Sequence, residues 1–166
     1  MNRLSRMFRH FCSFPWRSKR LLPQSAMLHI EEAIKEAEVK CSGQICVAIE
    51  ADLSTDLLWK NVSARHRAVD VFSTLRVWDT ENNSGVLVYL LLADHDVEII
   101  ADRGIAKKVV ASEWEHICRM MESSFSKGNF EKGLIDGIKR IGEKLAEHFP
   151  SQNENLNELR NKPYIL

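Results

Sequence analysis

No apolar run in this chain of 166 residues is longer than eight, so none approaches the ~20 residues that a membrane-spanning helix requires. There is no HExxH pair, no Gly-x-Ser-x-Gly elbow and no phosphate-binding glycine loop, and the six histidines are scattered one to an element. These absences leave no nameable nucleophile–base pair. The four cysteines form no CxxC pair, and no histidine near Cys41 or Cys46 completes a zinc site. They are expected to be reduced, buried thiols, which suits a cytoplasmic chain. No internal repeat is visible. Net charge is also lacking, with 23 basic and 23 acidic residues, but the balance is uneven. The first 20 residues hold six cations (Arg3, Arg6, Arg9, Arg17, Lys19, Arg20) and no acid, which leaves 17 basic against 23 acidic residues in the body. An acidic body speaks against a nucleic-acid partner, which needs a basic face to displace counterions.

What is present divides into three parts. Residues 1–23 form a basic arm in which Met7, Phe8, Phe11, Phe14 and Trp16 interleave with the cations. Such an arm either packs its aromatics on the domain or meets an anionic membrane surface, which would make the protein membrane-peripheral. Residues 24–150 carry the periodic pattern of one α/β domain, and residues 151–166 are a polar tail whose apolar end, Pro163-Tyr164-Ile165-Leu166, is expected to dock.

Within the domain, Met27, Ile30, Ile34 and Ala37 recur at helical spacing over 25–41. Residues 44–51 alternate as a strand does, with Ile45, Val47 and Ile49 on one face. A single helix is expected over 54–75, burying Leu58, Val62, Val69 and Phe72. The unbroken apolar run 86–93 reads as a central strand covered on both faces. Asp94-His95-Asp96 then turns the chain into a returning strand at 97–101. A helix between the first two strands implies that they run parallel, so the fold is a small mixed β-sheet sandwiched between α-helices. Ser112 and Glu115 read as a capping box for a helix burying Val110, Trp114, Ile117 and Met121. Asn129 caps the last helix, whose inner face is Leu134, Ile138, Ile141 and Leu145, while Gly133 and Gly137 allow a close neighbour. Trp59, Trp78 and Trp114 are expected in the core.

Four segments in this order resemble the TPM domain family. They are Ser42-Gly43-Gln44-Ile45, Asn83-Ser84-Gly85-Val86-Leu87, Asp102-Arg103-Gly104-Ile105, and Gly128-Asn129-Phe130 with Gly133 and Gly137. The resemblance is to the stand-alone bacterial branch, related to thylakoid acid phosphatase-like and photosystem repair-like domains. It implies an α/β sandwich, and for some members calcium binding or acid phosphatase activity. Two candidate sites follow. The first three motifs fall at one edge of the sheet, so Ser42, Gly43, Gln44, Asn83, Gly85, Asp102, Arg103 and Gly104 form a binding patch in which Arg103 can meet an anion. At the opposite edge Glu50, Asp52, Asp94 and Asp96 would gather, and carboxylate oxygens of that kind suit calcium. Asp94-His95-Asp96 also has the form of a phosphatase Asp-x-Asp pair, although a hairpin turn explains the same residues. Two functions stay open: an interaction or maintenance module with a protein partner, and a metal-dependent acid phosphatase acting on phosphate monoesters.

Overall fold

The computed structural model describes Arg6, Met7, His10 and residues 20–151 and 157–166. Its backbone is a four-stranded sheet of order β3-β2-β1-β4, with helices on both faces. The elements run α1 (Gln24–Glu38), β1 (Gln44–Glu50), α2 (Thr55–Trp59), α3 (Ala64–Thr74), β2 (Gly85–Leu91), β3 (Asp96–Ala101), α4 (Arg103–Ala106), α5 (Ala111–Phe125), α6 (Phe130–His148) and β4 (Tyr164–Ile165). β1 and β2 are parallel from Gln44↔Gly85 to Glu50↔Leu91. β2 and β3 are antiparallel, so the sheet is mixed as the sequence pattern requires.

The pleat sorts the strand residues into two cores. Ile45, Val47 and Ile49 of β1, with Val86, Val88 and Leu90 of β2, face α1, α5 and α6. Cys46, Ala48, Leu87, Tyr89 and Leu91 face α2 and α3. Every residue of β1 and β2 is buried, which accounts for the continuous apolar run in β2. On the first face the predicted stripe Leu134, Ile138, Ile141 and Leu145 is fully buried. Gly133 and Gly137 do permit close packing on α5: a Cβ at Gly137 would stand 2.3 Å from the sulfur of Met121, and one at Gly133 2.7 Å from the Phe125 ring.

Several local expectations fail for identifiable reasons. The helix expected over 54–75 is two helices, because Asn61 turns left-handed (φ 52°) and Ser63 starts α3 by accepting the His66 N–H. The restart rotates the second half. Ala64, Ala68 and Val71 are buried there, whereas Val69 is 46% exposed. Ser112 and Glu115 lie inside α5, which begins at Ala111 without a side-chain cap, so no capping box forms. Asn129 occupies the cap position of α6 but gives no side-chain cap bond. Trp114 is in the core, while Trp59 and Trp78 are exposed. Cys41 and Cys46 are buried, and burial pushes their thiols up to about 11 and about 12; Cys12 lies outside the described residues.

The polar tail ends as structure. Tyr164 and Ile165 pair in parallel with Ala48 and Ile49, and the Leu166 N–H donates to Ile49 O at 3.0 Å. Gln44 Oε1 accepts from the backbone N–H of Glu158 (2.9 Å) and Leu159 (3.1 Å). The side chain of Asn161 donates to the buried Glu38, which also accepts the Ile45 N–H at 2.7 Å.

Candidate functional site

The sheet has two chemically different ends. At the amino end of β1 and β2, the antiparallel return of β3 brings the three motifs together. The Gln44 N–H donates to Ser84 O (3.1 Å), the Asp102 N–H to Gly85 O (2.9 Å) and the Gly104 N–H to Asn83 O (3.1 Å). Ser84 Oγ donates to Ser42 O at 3.3 Å. The eight residues singled out from the sequence are therefore neighbours, but most are occupied in building the end itself. A Cβ at Gly85 would stand 2.0 Å from Val77 O, and one at Gly104 would stand 2.6 Å from Asn83 O, so both glycines mark backbone packed on backbone. Gly43 lies against Leu145, and Gln44 holds the tail. Asp102 caps α4 by accepting the Arg103 N–H at 2.7 Å, and its other carboxylate oxygen is buried with no hydrogen-bond partner among the described residues.

Arg103 differs from the rest. Its side chain is 82% exposed, and its Nε stands 4.0 Å from Asp102. With Lys107, Asn82, Asn83 and Gly104 it lines a shallow depression of about 330 Å³. Lys107 and Asn82 are exposed and Asn83 is half-buried in a left-handed turn (φ 49°). Two cations and two side-chain amides around a rigid backbone floor form a donor-rich recess suited to a carboxylate or phosphate. Neither Asn82 nor Lys107 stood out in the sequence. The run Asn82-Asn83 before Gly85, and the position of Lys107 four residues after Arg103, are the signals that could have found them.

At the carboxyl end, two of the four carboxylates are already matched within the protein. Glu50, on the α3 face, is 7% exposed and takes a bidentate contact from Arg67, with Nε and Nη2 both at 2.8 Å. The Tyr89 hydroxyl donates to its Oε2 at 2.5 Å, and burial together with that bond raises the phenol above its ordinary range. Asp94 accepts from Arg6 Nε at 2.8 Å, and His10 Nε2 stands 3.3 Å from the same oxygen. Bonds from His10 and Arg6 outweigh burial there and hold the carboxyl below its usual value. Asp52 is half-buried, and burial raises it. Asp96 is pushed up to about 6 by burial and by Glu98, Glu122 and Asp94.

Among the described residues no group of three or more His, Cys, Asp or Glu side chains is placed to hold a metal ion. The oxygens of Glu50 and Asp94 already serve Arg67, Tyr89 and Arg6, so Glu50, Asp52, Asp94 and Asp96 as placed do not fit calcium. The Asp94-His95-Asp96 stretch is a hairpin turn, with His95 left-handed (φ 54°) and β3 starting at Asp96, not the entry to a helical crossover that the phosphatase pattern needs.

The layered α/β/α architecture, with its glycine-bearing motifs joined at one sheet end, defines the class. Residues 18–144 match the TPM domain model, and the chain belongs to the TPM domain family. It is also similar to the NMR structure of BA42 protein from the psychrophilic bacteria Bizionia argentinensis sp. nov., at 32% identity and a TM-score of 0.77, with 87% of this chain and 95% of that chain covered. None of the curated proteins matches the chain.

Proposed function

We propose that this protein is an interaction module which recognises an anionic group of a protein partner, a carboxylate or phosphate, at the amino end of its sheet. The observation that carries the reading is the exposed Arg103 beside Lys107, Asn82 and Asn83, in a depression whose floor is fixed by backbone contacts. A bidentate guanidinium with flanking amides gives directional bonds to a planar or tetrahedral anion, and a preformed floor lowers the ordering cost. The residues lining this depression are Arg103, Lys107, Asn82, Asn83 and Gly104, a set whose side chains are suited first to holding and orienting an anion.

The alternative, a metal-dependent acid phosphatase acting on phosphate monoesters, would use the same recess for its phosphate. A generic phosphate ester offered with calcium, magnesium or chelator separates the two. Binding without turnover is expected in all three conditions. Turnover that disappears in Arg103→Ala would overturn the binding-only reading.

A further inference from the structure

The N-terminal arm meets the domain at one described place. Arg6, Met7 and His10 are helical, and Arg6 and His10 both reach the carboxyl end of the sheet. Arg6 Nε donates to Asp94 at 2.8 Å and its Nη1 donates to Val62 O at 2.9 Å. His10 Nδ1 accepts the Leu53 N–H at 3.0 Å, and its Nε2 stands 3.3 Å from Asp94. The His10 side chain is fully buried, and that of Asp94 is 6% exposed. This is a fitted contact: one carboxylate, one carbonyl and one N–H are each met by a complementary group from the arm. Arg6 is at the same time one of six cations in a stretch that also bears Phe8, Phe11, Phe14 and Trp16, a composition suited to an anionic lipid surface.

We propose that Asp94 and an anionic lipid surface compete for the arm, so that undocking from the sheet end and joining a membrane are one equilibrium. Asp94 is the internal counter-charge that lipid headgroups replace. While the docked form dominates, apparent affinity for the membrane is reduced by the fraction of chains that have let go. Weakening the dock must therefore strengthen membrane binding, which is the opposite of what removing a lipid contact would do. No charged group of the arm needs to change for this to be seen.

The test uses the full chain and vesicles of mixed phosphatidylglycerol and phosphatidylcholine, with pure phosphatidylcholine as the neutral control. Two variants loosen the dock by different means. Asp94→Asn removes the counter-charge, and His10→Ala removes the acceptor of the Leu53 N–H without altering any carboxylate. Glu143→Gln, on the exposed face of α6, removes one negative charge far in sequence from the dock and controls for net charge. Each protein is first shown to unfold cooperatively; using two dissimilar variants keeps the test open if one fails to fold. Both docking variants are expected to bind anionic vesicles about fivefold more tightly than wild type, the factor that corresponds to losing one hydrogen bond of typical worth. Glu143→Gln should show a smaller gain. Equal binding by wild type and both variants would overturn the competition. Binding by none of them would remove the lipid partner altogether. Weaker binding by the variants would show that the docked form is the one that meets the membrane.

Discussion

The carboxyl end of the sheet carries more charge than the amino end, yet it is at the amino end that a cation, Arg103, stands largely in solvent. Glu50 and Asp94 are each met by an arginine, and Glu50 also by Tyr89. At the amino end the glycines and Gln44 are consumed in packing, and what remains outward is Arg103 with Lys107 and two asparagines. The contrast teaches that a cluster of ionisable residues marks a site only after the bonds they make to one another have been counted. A buried carboxylate met by an arginine is architecture, whereas a cation standing largely in solvent is accessible to a partner.

The largest expected effect lies at the carboxyl end. Arg67→Ala leaves the Glu50 carboxylate buried against Tyr89 without its cation, and breaking such a pair from one side costs about 3–5 kcal/mol. Urea unfolding should show it, and a loss below about 1 kcal/mol would mean that Glu50 is not internally matched after all. Glu38 supplies a comparable effect in its dependence on pH. Burial pushes its carboxyl up to about 7 from an ordinary value of 4.5. The folded state therefore keeps a proton that the unfolded state has released. This contribution to stability is full below about pH 4.5, falls as pH rises through about 7, and totals roughly 3 kcal/mol. Glu38→Gln should unfold at higher denaturant concentration than wild type at pH 8 and at a similar one at pH 4.5. Matching midpoints at both pH values would show that the carboxyl titrates normally.

A smaller loss is expected from Gly85→Ala. Its Cβ would overlap Val77 O, and the forced backbone shift costs about 1–3 kcal/mol. Thermal unfolding that matches wild type would mean that this end is looser than its contacts imply. Least of all should be the stability change in Arg103→Ala, within about 0.5 kcal/mol, because that side chain is largely solvated. A larger loss would make Arg103 a structural residue and erase the contrast between the ends.

The parts legible in the sequence are those whose signal is local. The run 86–93 announced a strand buried on both faces, and the turn after it announced the hairpin, because both follow from neighbouring residues. The meeting of the three motifs could be drawn from topology alone. What could not be read are the pairings that decide which end is free. Glu50 finds Arg67 from the next helix but one, and Asp94 finds Arg6 across 88 positions. The break at Asn61 was hidden by apolar spacings that fit one helix as well as two, although Ser63 three residues before His66 is a start signal. The structural part played by Gln44 depended on a tail more than a hundred residues away.

The assignment of recognition to the amino end is tested most directly by titrating the full-length protein with inorganic phosphate while following its backbone amide resonances. Shifts that gather at Asn82, Asn83, Arg103, Gly104 and Lys107, and that vanish in Arg103→Ala, are the expected result. Shifts that gather instead around Glu50 and Asp94, or that survive in Arg103→Ala unchanged, would contradict it.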